Sequence, residues 1–416
     1  MTRRFHVRMR FSKIVFSLMA VGLLLTVCDF CCGQSWEQTD ASTNFSWISI
    51  ASSANGTKLC AAAIDDGYGD GGPVCISTNS GTTWTVTSAP TNCTWQAVAT
   101  SSNANILVAA VNEDADSNPG TLYVSTNSGS TWRAPASPSN YWAGVATSAS
   151  GVKMVAADSG SGDGLIYTST NFGKTWSATS APSDFWAAVA SSADGTKLVA
   201  VDSGYGDGLI YTSIDSGVSW TATAAPANPW TCVASSANGT NLVAANSGYG
   251  DDFIYTSSDA GVTWTATSAT TNQWASVAAS ADGTRLVAAD SGDGDGLIYV
   301  STNAGTNWLA TEAPPETWTS VATSADGSKS ASVADPDGIY TLQSGPPLSI
   351  LPASGRINIS WPAWSSATGL ALQQNSSVAV TNWVPVTNSP TMTNGLNQVV
   401  LPLPLTGNKF YRLNGL

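Results

Sequence analysis

Across residues 186–226 the chain alternates between short apolar, β-prone runs and small polar breaks. Trp186-Ala-Ala-Val-Ala and Leu198-Val-Ala-Val carry the first two runs, and Leu209-Ile-Tyr-Thr and Trp220-Thr-Ala-Thr the next two. Between them lie Asp194-Gly195, the glycine-rich stretch 203–208 and Asp215-Ser216-Gly217. Short apolar runs bounded by Gly, Asp and Ser predict four β-strands joined by three tight turns. Asp-Gly pairs favour the positive φ angles of hairpins.

This unit recurs along most of the chain, and tryptophan marks it twice. One series is Trp47, Trp95, Trp142, Trp186, Trp230, Trp274 and Trp318; the other is Trp36, Trp84, Trp132, Trp176, Trp220, Trp264 and Trp308. From Trp132 to Trp308 the second series returns every 44 residues. A fixed period of about 40–45 residues is the length of a four-stranded propeller blade. Seven marks predict seven blades. The array enters on Trp36, of the second series, and leaves after Trp318, of the first. A seventh complete unit therefore requires the segment around Trp36 to finish the blade begun at Trp318. That is how a ring closes, whereas an open solenoid has no need of it. A lone unit cannot cover both faces of its sheet, and blades stacked around an axis cover one another. The fourth-strand tryptophan, Trp220 in this unit, is expected between adjacent sheets.

Beyond the repeat the pattern changes. The expected divisions are an export signal over 1–33, the propeller over 34–343, a linker over 344–347 and a C-terminal domain over 348–416. In the last, Ile357–Trp361, Leu370–Gln374, Trp383–Val386, Gln398–Pro402 and Lys409–Leu413 read as short strands of a small β-sandwich. The fold class is all-β. At the other end, Arg3, Arg4, Arg8, Arg10 and Lys13 precede an apolar stretch from Ile14 to Val27, too short to span a bilayer comfortably. Small residues near Gly33 suit cleavage there, giving a secreted, periplasmic or cell-surface protein. A second reading, lipid attachment at Cys28, fits less well because Val27 precedes it. No later stretch is long and apolar enough for a membrane-spanning helix, and the expected state is a monomer.

After residue 33 the chain holds ten Lys/Arg against twenty-seven Asp/Glu and no histidine, since the only one is His6. Such a surface repels phosphate backbones, which argues against nucleic acid. The remaining cysteines, Cys60, Cys75, Cys93 and Cys232, show no C-x-x-C pair. Cys60 and Cys75 fall on neighbouring strands, so both a disulfide and two isolated buried thiols stand open.

The third turn of each unit carries a motif. Ser77-Thr-Asn79-Ser-Gly81-Thr-Thr83-Trp84 recurs at 125–132, 169–176, 213–220 and 257–264, and at 301–308 with Asn307 as its single departure. It resembles the Asp-box (BNR) repeat of sialidase-like propellers and of photosystem II assembly factors, over roughly residues 34–345. The run from Ile359 to Leu413 resembles a module appended to many bacterial exported proteins. The resemblance implies that the box is structural, so Asn79, Asn127, Asn171, Asp215, Asp259 and Asn303 are expected to hold turns. It also implies that ligands bind on the opposite rim, where the second-to-third-strand loops lie. There the sequence predicts a crown of carboxylates with tyrosines, including Asp70, Asp163, Tyr205, Asp207, Tyr249 and Asp251 as candidate binding residues.

Three readings of that crown stand open: plain polar loops, a platform for a glycan or protein, and calcium. For calcium, Asp290, Asp293 and Asp295 come nearest to a loop of oxygen ligands, without a distal bidentate Glu. Absence of histidine removes Ser-His-Asp and Cys-His chemistry. Sialidases hold a substrate carboxylate with several arginines; the repeat region has only Arg133 and Arg285, at different positions in their units. No catalytic residue is assigned. The reading is a non-catalytic binding or scaffold propeller with a glycan or protein ligand. The alternative is a glycoside hydrolase or lyase using paired carboxylates on the same rim.

Overall fold

The computed structural model describes residues 13–19, 22–28, 35–64, 71–114, 118–204, 207–248, 252–343, 349–353, 356–362, 370–375, 384–393, 396–402 and 410–415. It divides into a unit spanning Trp36–Leu342 and a second formed by Met1–Ser35 with Gln343–Leu416. The first is a seven-bladed propeller. Blade 4 is typical, with antiparallel strands Trp186–Ser191, Leu198–Asp202, Ile210–Ser213 and Thr221–Ala222. The second strand of the blade is buried along its whole length, because neighbouring blades cover both of its faces. Its central Ala200 and the equivalent Ala156, Ala244 and Ala288 are fully buried, and their small side chains let adjacent sheets approach closely.

The first strand is innermost. Each begins with a β-bulge, where the register shifts between its tryptophan and the residue two further on. The seven first strands together line a central channel whose cavity of about 260 Å³ is walled by Val, Ala, Ser and Thr. Blade 2 departs from the pattern. Its fourth strand shrinks to a bridge between Val124 and Arg133, and Pro135 lacks the N–H that Thr179 donates to Ile166 in the next blade. Its first hairpin runs further than the others, pairing Cys93 with Asp114.

The ring closes as the tryptophan phase predicts. Ser35–Gln38 forms the outer strand of the blade begun at Trp318, and the Thr39 N–H donates to Ile339 O at 2.8 Å. Closure is also visible at the first turn of every blade, where one backbone N–H donates to the next blade's carbonyl. The chain of bonds runs Ala54→Ser102→Ala149→Ala193→Ala237→Ala281→Ala325→Ala54 at 2.7–2.9 Å. This hydrogen-bonded circuit returns to its start after seven steps.

Both tryptophan series sit in the seams between blades, but unequally. The first-strand residues Trp47, Trp95, Trp142, Trp186, Trp230, Trp274 and Trp318 are fully buried. In six blades each meets a third-strand tyrosine edge-on, as Trp186 does Tyr211 at 5.3 Å. In the fourth-strand series Trp84, Trp132, Trp220, Trp264 and Trp308 are half-buried, while Trp36 and Trp176 are buried. The expectation for Trp220 holds in location, yet the fully enclosed anchor is its partner in the other series. Position explains this, since the outer strand has solvent on one side.

Cys60 and Cys75 are free and buried, as are Cys93 and Cys232. Register separates the first two: Cys60 pairs with Ile76 and Cys75 with Ala61. Cys60 therefore faces the seam with blade 2 and Cys75 the seam with blade 7. Of the two readings left open, the isolated thiols are the observed one.

In the second unit, Lys13–Met19 and Gly22–Cys28 pair antiparallel. Seven further strands form two antiparallel sheets, one of Ser349–Ala353, Arg356–Pro362, Thr391–Thr393 and Leu396–Pro402, the other of Leu370–Asn375, Val384–Pro385 and Phe410–Gly415. Ile359, Trp361, Leu372 and Val399 are buried there. Both sheets fall within residues 348–416, the segment expected as a C-terminal β-sandwich. Among the described residues no helix is long and apolar enough to cross a membrane.

Candidate functional site

The propeller has two rims of opposite character. Strand alternation puts the first turns and the Asp-boxes on one rim and the second-to-third-strand loops with the inter-blade connectors on the other. On the box rim the Asp/Asn side chain closes its own turn. Asn79 Oδ1 accepts from the Thr83 N–H at 2.9 Å and from Ser77 Oγ at 2.9 Å, and Gly81 N–H donates to Ser77 Oγ at 2.9 Å. Asn127, Asn171 and Asn303 repeat this. Asp215 and Asp259 do the same with a charge, and hydroxyl and N–H donors hold their carboxyls down at about 2. Two successive residues, such as Ser216 (φ 64°) and Gly217 (φ 89°), adopt the left-handed region, so the turn strains more than its glycine. The oxygens of these six side chains accept hydrogen bonds from within their own turns.

The loop rim is built from acids. Asp158, Asp202 and Asp290 end the second strands of blades 3, 4 and 6 and are nearly buried. Each carboxylate caps its own loop, accepting from Gly160, Gly204 and Gly292 N–H at 3.1, 2.9 and 3.2 Å. Burial pushes all three carboxyls upward despite those bonds. In blade 5 the position is Asn246, whose Oδ1 accepts from the Phe253 N–H at 3.0 Å. The loops are clamped from two directions. Ser203 N–H donates to Phe185 O just before the blade's own first strand, and the next connector's Asn228 N–H donates to Gly208 O. Plain loop-building therefore accounts for the inner acids.

Of the candidate binding residues, Asp163 and Asp207 are exposed on this rim. Asp70, Tyr205, Tyr249 and Asp251 lie outside the described residues, as does the side chain of Asp293. A β-carbon on Gly160 would stand 3.1 Å from Asp163 Oδ1 and 3.5 Å from Asp158 Oδ2, so these two carboxylates bracket that glycine. Asp290 and Asp295 bracket Gly292 likewise. Among the described residues no three acid, histidine or cysteine side chains converge as a metal cluster. Asp290 is already engaged by its own loop.

The structure adds acids that sequence reasoning passed over. Asp184, in the connector two residues before Trp186, is in hydrogen-bond contact with Asp202; burial first, then this neighbour, push Asp202 up to about 6. Glu316, two residues before Trp318, contacts Asp337 in the same way and accepts from Tyr340 Oη at 3.0 Å. Burial raises Glu316, with Asp337 adding to it. The repeat alignment carries a faint signal, because Asn140, Asn228 and Asn272 occupy this connector position elsewhere. Only the fold brings it against the neighbouring loop.

Cations are excluded from this rim. Arg133 donates to Phe172 O at 2.6 Å in the adjacent Asp-box, Lys153 Nζ to Ser216 Oγ at 3.1 Å and Lys329 Nζ to Ser80 Oγ at 3.2 Å. Lys58, Lys174, Lys197 and Arg285 also belong to first turns or boxes. All seven Lys/Arg of residues 34–343 thus lie on the box side, and an arginine cluster of the sialidase kind is missing from the loop side.

A BNR-Asp box repeat model matches residues 166–179. No curated protein sequence matches the chain. Among solved structures, the chain is similar to a GH74 xyloglucanase from Xanthomonas campestris (TM-score 0.57, 14% identity, 79% of this chain and 60% of that one). It is also similar to YCF48 from Cyanidioschyzon merolae (TM-score 0.56, 16% identity, 74% and 98%) and to YCF48 bound to D1 peptide (0.53, 14%, 74% and 94%). The chain spans under two thirds of the xyloglucanase, and at these identities the likeness is one of fold.

Proposed function

Taking the chain as an Asp-box β-propeller, we propose that it is an exported, non-catalytic binding scaffold whose acidic loop rim holds a cation-bearing segment of a protein ligand. The observation that carries this is the charge division. The loop rim gathers acids from blade after blade, and every Lys and Arg of the propeller lies on the other side. Carboxylates without internal counter-ions attract an incoming lysine or arginine and steer its approach. A similar propeller fold, that of YCF48, has been solved with a peptide bound. The test is fluorescence anisotropy with a lysine-rich peptide at low and high salt, against a glutamate-rich control. Binding of the basic peptide alone, weakened by salt and by the combined D163N, D207N and D295N changes, is expected. Failure to bind at low ionic strength overturns the proposal.

The hydrolase alternative draws on the paired carboxylates Asp184–Asp202 and Glu316–Asp337. Both pairs are in hydrogen-bond contact, closer than the roughly 5–10 Å over which glycosidases place sugar and water. Mass spectrometry after incubation with a broad glycan panel in calcium discriminates the two: cleaved sugars would favour hydrolysis, intact retained sugars a glycan ligand. Export rests on the basic start and the apolar stretch Ile14–Val27. A mature N-terminus at Gln34 supports it, whereas a lipid on Cys28 would put the anchored reading in its place.

A further inference from the structure

The blades look interchangeable, but two neighbouring seams differ. On the box rim the residue that opens the second strand reaches over the seam toward the following blade. It is Lys58, Ile106, Lys153, Lys197, Asn241, Arg285 and Lys329 in blades 1 to 7. Lys153 and Lys329 bridge to Ser216 and Ser80 in the next Asp-box, and Lys58 bridges to Asn105 in the next blade at 3.1 Å. Blades 2 and 5 have shorter side chains there, and only that of blade 5 is polar. Asn241 instead lies low across its seam, donating Nδ2–H to Asp282 O in the first turn of blade 6 at 2.7 Å.

Seam 4/5 supplies an internal control. With Lys197 and Ile214 across its mouth it encloses about 10 Å³, room for one water at most. The corresponding groove in seam 5/6, under Asn241 and Ser258, encloses about 200 Å³. Other walls correspond, Leu198 with Leu242, Thr212 with Thr256 and Gly239 with Gly283, while Thr263 and Thr265 line only the wider groove and Ser235 only the narrow one. Two replacements have opened the groove and made its mouth polar.

Its lining fits one kind of ligand. Leu242, Leu286 and Ala304 supply methyl groups, while Thr256, Ser258 and Thr265 supply hydroxyls, and no ionised side chain takes part. Those three hydroxyls make no hydrogen bond among the described residues, in contrast to Ser257 and Thr263, which are committed to Asp259. An apolar wall facing hydroxyls matches a sugar ring, apolar on one face and hydroxylated at its edge. The volume is below the roughly 300–1,000 Å³ of drug-sized sites, which limits the occupant to a single ring. We propose that seam 5/6 on the box rim is a binding site for one uncharged pyranose unit, created by Asn241 and Ser258 where blade 4 has Lys197 and Ile214.

The site lies on the rim opposite the acidic crown, so it stands or falls independently of the peptide-binding reading. The test is ligand-observed NMR on the protein with methyl gluco-, galacto- and mannopyranosides, with glucuronate and glucosamine as charged controls. Saturable binding of at least one neutral glycoside near the millimolar range is expected. N241K should weaken it by about tenfold or more. This variant restores the repeat's own residue, so it folds. Adding K197N and I214S to N241K should restore binding by opening seam 4/5 instead. The proposal is overturned by the absence of saturation with all three neutral glycosides, by equal binding of the charged sugars, by unchanged binding in N241K, or by failure of the transplanted pair to rescue.

Discussion

Trp186→Ala and Trp220→Ala remove the same side chain from opposite edges of one blade, and the structure sets different magnitudes for the two losses. Trp186 is completely buried in the seam between blades 3 and 4, among Val155, Ile166, Val189 and Leu198. A buried aromatic removes about 150–250 Å² from water, worth about 4–6 kcal/mol at 25 cal/mol/Å² as an upper bound. Its edge-on contact with Tyr211 adds about 1 kcal/mol. Its Nε1 has no partner, so truncation breaks no hydrogen bond and the loss is one of packing. Truncation without collapse of the cavity should cost about 4–5 kcal/mol. Trp220 keeps one face toward solvent and should cost roughly half as much. Urea unfolding followed by far-UV circular dichroism measures both. With a slope of about 3 kcal/mol per molar, the Trp186→Ala midpoint should fall by about 1 M or more. Equal losses, or a larger loss for Trp220→Ala, would refute the assignment of the first-strand series as the anchors.

Three further outcomes are expected. Deleting residues 34–44 removes the outer strand of blade 7 and exposes Trp318, which packs on Trp36 at 6.1 Å; the melting temperature should drop sharply, and an unchanged melt would contradict ring closure. Asp202, raised from 3.8 to about 6, is neutral in both states below about pH 4, while above about pH 6 the folded protein holds a buried charge that the unfolded chain solvates. Its contribution to stability is therefore lost as pH rises through that window. Asp158, Asp290 and Glu316 act in the same direction, whereas the Asp-box acids Asp215 and Asp259 lose their contribution only on acidification toward about 2. Melting temperatures from pH 4 to 7 should fall, and D202N, which installs the residue natural at Asn246, should flatten that slope; a slope unchanged in D202N would remove Asp202 as its source. Finally, Cys60, Cys75, Cys93 and Cys232 should each take up an alkylating reagent after denaturation without reductant, since Cys60 and Cys75 face different seams. A Cys60–Cys75 linked peptide would contradict that.

The ring was legible before any coordinates, because the fold repeats and each repeat writes its strands, turns and tryptophans into the same positions. Period, blade number, closure by the segment at Trp36 and the structural task of Asn79 or Asp215 all follow from local rules applied seven times. Cysteine placement was legible only in part. Alternation along a strand decides which face a residue takes, but which seam that face enters depends on register, and Cys60 and Cys75 differ by one step of it. The acid pairs were hidden for a related reason. Asp184 and Asp202 belong to different parts of the repeat, and a connector meets a loop only once strands are packed and clamped.

Sequence alone thus determined the architecture, since β-period, turn chemistry and repeat length are local properties that need no knowledge of distant neighbours. It also showed where the cations lie, because each Lys and Arg has a repeat position and each repeat position belongs to one rim. Tertiary structure decided what lies between repeats: which tryptophan is sealed, which carboxyls meet and how wide the groove of a seam is. Those are properties of surfaces meeting across a seam. Asn241 and Ser258 are two letters in the repeat where blade 4 has Lys197 and Ile214, and only the packed seam shows the groove of about 200 Å³ beside them.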